Sequence, residues 1–163
     1  MAKATTNGVV PMGVVAVKEE IYDTVMDASP KGAVELFHGY TYSGIPIAVA
    51  AALAVQNIFE KEDIFKRSKE MSPYFLEGLF SLKDIDAVEN IRGYGMMGGI
   101  DMKLKEKPGR AGYECFKSCY EVGVNFKATG DCLIIAPQFI CEKKHIDEII
   151  EKLRTGISNY MKK

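Results

Sequence analysis

Residues 1–13 read MAKATTNGVVPMG, and this stretch indicates which fold the rest of the chain builds. Lys3 lies among small residues, so backbone and hydroxyl groups can approach closely whatever its amine binds. Gly8 and Gly13 flank Pro11, a combination that is typical of tight turns. An amine that attacks a carbonyl must be neutral, which burial or a nearby cation favours. Two interpretations stay open on these residues alone: Lys3 is a nucleophile in a shaped loop, or it is a solvated charge.

Composition and charge exclude several classes of protein. The 163 residues are enough for one ordinary domain with its own core. Apolar residues make up 47% and charged residues 26% of the chain, the balance of a soluble globular protein. The net charge of -1 gives no electrostatic basis for binding nucleic acid or an acidic membrane surface. The longest apolar run, at 45–55, is too short to span a bilayer.

The cysteines and the first residues indicate a cellular compartment. Cys115, Cys119, Cys132 and Cys141 match no zinc spacing, and the N-terminal residues show no signal-peptide pattern. We therefore expect reduced thiols in a cytoplasmic protein, and no metal site. Cys115 and Cys119 lie four residues apart on a predicted helix, where a metal pair is the alternative to two small packing residues.

Hydrophobic periodicity divides the chain near residue 83. Residues 1–83 are mostly helical; the spacing predicts a short strand over 13–17 and helices over 18–26, 46–60 and 63–82. Residues 84–163 mix both kinds of element; here the pattern predicts strands over 88–92, 96–102, 124–128 and 132–136, and helices over 111–121 and 143–161. The second part therefore reads as a small α+β unit.

A second informative run, HGYTYSG, occupies residues 38–44, just before the helix that Pro46 opens. Glycines and hydroxyl side chains ahead of a helix suit a phosphate, because the first N–H groups of a helix are free and its dipole favours negative charge. The other interpretation is an aromatic loop that packs on the helix. The residues by themselves leave both open.

These two runs resemble a known family. Residues 1–13 are similar to the segment of class III, pyridoxal-phosphate-dependent aminotransferases that carries the Schiff-base lysine, and 38–44 resemble the family's phosphate-contacting loop. The resemblance implies an α/β protein of PLP-dependent transferase fold type I. Residues 1–83 would be the C-terminal part of its large, cofactor-binding domain, with long interdomain helices, and 84–163 its small C-terminal domain.

The resemblance also implies roles for two residues. Lys3 would bind pyridoxal 5'-phosphate and act as the base that moves the substrate proton. Thr41 would contact the cofactor phosphate of the other subunit, which implies a homodimer or a higher homo-oligomer.

A third candidate is Lys127, in the run GVNFKATGD at 123–131. In the ω-amino acid and β-alanine:pyruvate branch of the family an arginine usually occupies this position and grips the substrate carboxylate. Lysine keeps the charge but lacks the planar fork of arginine, so carboxylate recognition should be weaker or different. A solvated lysine on a strand is the other interpretation, and it stays open.

Together these matches imply an aminotransferase that moves an amino group from an amine or ω-amino acid to a keto acid such as pyruvate. They cover only the C-terminal part of a family member, so we expect a fragment with little or no activity alone. The expected partners are a small-molecule amine, a keto acid and a second copy of the chain. The alternative is a stand-alone, non-catalytic α/β interaction domain derived from the same fold, which would have no use for Lys3.

Overall fold

Two units make up the computed structural model, Met1–Glu62 and Asp63–Lys163. The structure describes residues 1–32, 41–104 and 107–162. The helix that begins at Ile64 belongs to the second unit, because its apolar side chains pack with the strands that follow it. The assignment of residues 1–83 and 84–163 to a large and a small domain stays a prediction.

The first unit contains a 3-10 turn, Lys3–Thr5, and the helices α1, Glu19–Asp27, and α2, Pro46–Lys61. The strand predicted over 13–17 is wrong. Gly13 forms an isolated bridge with Ala2, and residues 14–18 belong to no strand or helix. The apolar residues in this segment give it the composition of a strand, but a strand also needs a neighbouring edge to pair with.

Helix α2 follows its predicted pattern. Pro46 occupies the first turn, where its missing N–H group costs no helical hydrogen bond. Ala48 and Val55 are buried and Ala52 and Phe59 half-buried, so these residues, three or four positions apart, form the face that packs. Although α2 is rich in apolar residues, neither it nor any other helix in the described ranges is long and apolar enough to cross a membrane.

The second unit has the predicted mixture of strands and helices. Its elements in chain order are α3, Ile64–Phe80; a 3-10 turn, Ser81–Asp84; β1, Val88–Tyr94; β2, Met97–Met102; α4, Ala111–Glu121; β3, Lys127–Thr129; β4, Cys132–Ile135; and α5, Lys143–Lys162. Only β3 is markedly shorter than predicted. It does not begin at Val124, because the Val124 N–H donates to the Cys119 carbonyl at 3.1 Å and completes the end of α4.

The four strands form one antiparallel sheet in the order β1-β2-β4-β3. Ile91 pairs with Ile100, and Ile100 pairs with Leu133, so these side chains share one face of the sheet. Helices α3, α4 and α5 cover that face. The fully buried side chains of the resulting core include Phe75, Leu79, Leu82, Ile100, Leu133, Ile146, Leu153 and Ile157.

Helix α3 approaches the sheet closely at Gly98. A Cβ at this position would overlap the Leu79 side chain, so the absence of a side chain lets the helix lie directly on β2. Leu79 is 0% exposed, whereas the next residue, Phe80, is 43% exposed. One face of α3 therefore belongs to the core, and the adjacent position points toward solvent.

We expect Leu79→Ala to lower the free energy of unfolding by about 2–5 kcal/mol, since it leaves a cavity between α3 and the sheet. The matched control is Phe80→Ala, which removes a larger side chain from a half-exposed position and should cost clearly less. Chemical denaturation followed by circular dichroism measures both. Equal losses for the two variants would contradict this packing.

Candidate active site

The segment that carries Lys3 folds into a closed loop. The bridge between Ala2 and Gly13 joins its two ends. Inside the loop, Thr6 is only 1% exposed, and its hydroxyl donates to the Val10 carbonyl at 2.5 Å. A buried, hydrogen-bonded threonine is a fixed point, and it holds the preceding turn that contains Lys3.

Lys3 itself has a left-handed backbone, with φ at 56°. This conformation costs a residue with a Cβ roughly 1–2 kcal/mol, so surrounding contacts must impose it. The Lys3 carbonyl accepts hydrogen bonds from the N–H groups of Thr6 and Gly8, both at 3.2 Å. Residues held in such conformations cluster at functional sites. The side chain of Lys3 is exposed, so its amine is accessible on the surface of this unit.

Thr41 lies in the turn that leads into α2, and it is exposed. The N-cap of α2 is Ile45, and no side-chain hydrogen bond caps the helix. The N-terminal N–H groups and the helix dipole therefore have the character that an anion requires. Residues 38–40 of the predicted phosphate loop lie outside the described residues. The turn Lys3–Thr5 contacts α2, so this helix is the structural link between the two candidate residues.

Lys127 is the first residue of β3, in the second unit. Its neighbour Ala128 pairs with Leu133 and faces the core, so Lys127 and Thr129 face the opposite side of the sheet. We call this opposite side the polar face. Cross-strand pairing assigns to it Asn90, Arg92, Tyr94, Met97, Gly99, Asp101, Cys132, Ile134, Lys127 and Thr129. Lys127 is exposed on it.

A charged network that the sequence analysis did not single out lies on the polar face. The Arg92 guanidinium pairs with the Asp101 carboxylate and also donates to the Cys132 sulfur at 3.4 Å. Burial acts to raise the pKa of Asp101, but hydrogen bonds from Arg92 and Cys132 and the charge of Arg92 lower it below its usual range. The signal was present in the sequence, because Arg92 alternates with Ile91 and therefore lies on the opposite face.

Three of the four cysteines, Cys115, Cys119 and Cys141, are buried packing residues. Cys115 and Cys119 are both 0% exposed, which agrees with the predicted packing role, and none of the four cysteines forms a disulfide bond. Burial raises the pKa of the Cys132 thiol, and Asp101 raises it further against the opposing charge of Arg92. The protonated thiol is a poor nucleophile. In the described ranges no group of three or more His, Cys, Asp or Glu side chains could hold a metal ion.

A cavity of about 380 Å3 lies beside α5. It is lined in part by His145, Glu148 and Lys152, and each of these three side chains already has a partner. His145 Nδ1 accepts the Glu142 N–H at 3.0 Å, and Lys152 Nζ lies 2.5 Å from a Glu148 oxygen. The cavity contains none of the three predicted site residues.

Comparison with known proteins identifies the family. The family model for aminotransferase class-III matches residues 1–157. An omega-aminotransferase of Caulobacter vibrioides is 38% identical over 155 residues, and a beta-alanine–pyruvate aminotransferase of Pseudomonas aeruginosa is 37% identical over 160 residues. These alignments cover 94% and 97% of this chain. A solved structure described as a transaminase with L-alanine superposes over 99% of the chain, with a TM-score of 0.91 and 25% identity.

The chain belongs to the class-III aminotransferases. This result confirms the resemblance found in residues 1–13 and 38–44, together with the expected transferase fold. Proteins of this family use pyridoxal phosphate. The chain spans 35% and 36% of the length of the two curated relatives and 40% of the solved transaminase. The roles of Lys3, Thr41 and Lys127 stay predictions.

The Arg92–Asp101 ion pair should make the free energy of unfolding depend on pH. Because the pKa of Asp101 is lowered on folding, its contribution to stability is present above its unfolded pKa of about 3.9 and is lost as pH falls through the lower folded value. We expect Asp101→Asn to cost at most about 1 kcal/mol at neutral pH, since the Arg92 side chain is 58% exposed.

The free energy of unfolding, measured by urea denaturation from about pH 7 to about pH 3, should converge for the two proteins at acid pH. The control is Asp86→Asn, which removes a pair with Lys103 whose carboxylate side chain is 85% exposed, and it should change stability less. A constant difference across the range would show that charge on Asp101 is not the cause.

Proposed function

We propose that this chain carries the cofactor-binding lysine and a substrate-binding lysine of an aminotransferase. The enzyme moves an amino group from an amine or ω-amino acid to a keto acid such as pyruvate. The observation that carries the proposal is the left-handed Lys3, fixed by a closed loop in a chain of the class-III family. The names of the two curated relatives, one an omega-aminotransferase and one acting on β-alanine and pyruvate, support this substrate class.

The groups in the first unit fit pyridoxal phosphate, which presents an aldehyde and a phosphate. Lys3 supplies an exposed primary amine for the aldehyde. The Thr41 hydroxyl and the uncapped N-terminus of α2 supply donors for a phosphate. In line with the family resemblance, Thr41 would contact the phosphate of the cofactor that Lys3 of the other subunit holds, so two copies of the protein would complete each site. When bound, the cofactor supplies an electron sink for the substrate carbon.

The chain's own residues then have distinct tasks. Lys3 Nζ would take the proton from the substrate carbon as a general base and, once protonated, would give a proton back as a general acid within the same half-reaction. The small side chains of Ala2 and Ala4 leave space beside it. Lys127 Nζ binds the substrate carboxylate as a compact point charge, which orients less strictly than a guanidinium fork.

The second candidate function is a non-catalytic interaction domain. The observation that favours it is exposed apolar surface in the first unit: Ile21 is 53%, Ile47 65% and Leu53 61% exposed. Apolar surface of this kind needs a cover. A partner protein and the remainder of a longer aminotransferase would both supply one, so this surface does not decide between the two functions. The backbone of Lys3 favours catalysis, because a binding domain gains nothing from a strained lysine.

Covalent capture of the cofactor at Lys3 is the direct test. An amine and an aldehyde condense with loss of water, and borohydride reduces the new C=N bond to a stable C–N bond. We expect the chain incubated with pyridoxal phosphate and borohydride to carry the reduced pyridoxyl group preferentially at Lys3, as located by peptide mass spectrometry. Lys18→Arg should leave this labelling intact, whereas Lys3→Arg should remove it. Labelling spread evenly over the exposed lysines would argue against a site at Lys3.

Activity needs more than these residues, so we expect the 163-residue chain alone to give no turnover with an amine donor and pyruvate. A hybrid enzyme supplies the rest: the matching segment of the Caulobacter vibrioides omega-aminotransferase is exchanged for this chain. The hybrid should convert an amine donor and pyruvate, and Lys3→Ala should reduce kcat by at least about 10^2-fold, as loss of a general base does. A hybrid that folds and binds cofactor but has the same kcat with and without Lys3 would favour the interaction-domain function.

A further inference from the structure

Lys127 lies on an unusually weak element. Strand β3 has three residues, forms one edge of the sheet and pairs with β4. So short an edge strand has little rigidity of its own, because few ladder hydrogen bonds hold it. A side chain that is to bind a carboxylate must nevertheless be held in a defined direction.

We propose that α4 positions Lys127, and that Gly112 and Phe116 are the positioning residues for carboxylate recognition. This inference rests on the proposed role of Lys127 as the carboxylate-binding residue. It assigns to α4 a task at the site although the helix lies on the opposite side of the sheet from Lys127.

The first contact is at Gly112, where α4 touches the turn between β3 and β4. The Gly112 N–H donates to the Gly130 carbonyl at 3.2 Å. A Cβ on Gly112 would lie 2.5 Å from the Gly130 oxygen and 3.1 Å from the Cys132 nitrogen. Both are backbone atoms, so a larger residue could be accommodated only by moving the turn. Gly112 therefore sets the height of the C-terminal end of β3 above the helix.

The second contact is at Phe116, one helical turn further along α4. Its ring meets the ring of Phe126 edge to face, with centroids 5.4 Å apart and an interplanar angle of 83°. Tyr113 and Tyr120 pack on either side of Phe116, at 6.2 Å and 5.9 Å between centroids. This arrangement is the favourable one for aromatic pairs. It fixes Phe126, the residue immediately before Lys127.

A third contact reinforces the first. The Asp131 carboxylate accepts hydrogen bonds from the N–H groups of Gly109 and Ala111, at 2.7 Å and 2.9 Å. Asp131 therefore ties the β3–β4 turn to the N-terminus of α4, where negative charge is favourable. This bond and the Gly112 contact act on the same turn.

These contacts determine the direction of Lys127. Gly112 and Phe116 are four residues apart, so they share one face of α4 and hold the two ends of β3 to it. Phe126 packs with α4 and Ala128 faces the core, so strand alternation turns Lys127 to the polar face. A change at either contact would release β3 and let the lysine point elsewhere, without removing its charge.

The test compares Gly112→Ala with the control Gly78→Ala on α3. A Cβ at position 78 would lie 3.0 Å from the Ile150 Cγ1, so the control also adds a crowded methyl group to a helical glycine. In the 163-residue chain, nuclear magnetic resonance should detect a contact between the side chains of Lys127 and Ile134, which are cross-strand partners. Gly112→Ala should abolish this contact and speed amide exchange at 127–129 about tenfold or more, since overpacking against backbone opens the site. Gly78→Ala should leave both unchanged.

The ring contact is tested separately. Phe116→Leu should also speed exchange at 127–129, and Phe116→Tyr, which keeps the ring, should restore slow exchange. In the hybrid enzyme, Gly112→Ala and Phe116→Leu should raise KM for pyruvate while leaving KM for an amine donor without a carboxylate unchanged. Phe116→Tyr should restore the pyruvate KM.

The outcomes separate this inference from the role of Lys127. Lys127→Ala in the hybrid should raise KM for pyruvate at least about tenfold, as loss of a charged hydrogen bond does. If Lys127→Ala has no such effect, the proposed role of Lys127 is wrong and positioning for recognition fails with it. If Lys127→Ala has the effect, but Gly112→Ala and Phe116→Leu behave like Gly78→Ala, the role of Lys127 stands and the positioning by α4 is wrong.

Discussion

The close approach of α3 to the sheet at Gly98 is the contact on which the second unit depends. Leu79 occupies the space that a side chain on β2 would need, so the helix lies on this face of the sheet. The other helices of the unit complete the same core, in which Ile100 and Leu133 are fully buried. Because the helices share one face, strand alternation assigns the polar residues to the other.

The polar face combines a neutralised pair with one further cation. Asp101 offsets the charge of Arg92, and the network is tied to Cys132 at the middle of the sheet. Of the residues that define this face, Lys127 supplies the remaining positive charge. An ion pair half exposed to solvent adds little to stability. Its consequence is electrostatic. Because Asp101 neutralises Arg92 on β1, the positive charge available to bind an anion on this face is that of Lys127 on β3.

The sequence predicted most of the fold, because helices and strands leave strong periodic signals. Helices α2 and α5 end within one residue of their predicted bounds, and α4 has the predicted bounds. The strand over 13–17 was wrong because apolar composition does not show whether a partner edge exists. β3 begins later than predicted because the end of α4 takes the Val124 N–H, a local hydrogen bond at the helix C-terminus that hydrophobic periodicity does not encode. The role of Lys3 was predicted through resemblance. Its left-handed backbone could not be predicted, because it depends on hydrogen bonds within the folded loop. The Arg92–Asp101 pair could be predicted only with the register between β1 and β2, which the sequence pattern does not give.

The location of Lys127 at a sheet edge has a consequence for how enzymes of this kind diversify. A residue on the exposed side of a three-residue edge strand contributes almost nothing to the core, so its replacement leaves the fold intact. The residues that we propose to aim it, by contrast, are built into a packed helix, where a change meets the backbone of the β3–β4 turn or a neighbouring ring. Under the role proposed for Lys127, mutation can therefore exchange the recognising group, lysine for arginine or an uncharged residue, while the direction in which that group points is inherited unchanged. In such an arrangement substrate preference drifts quickly on a scaffold that evolves slowly.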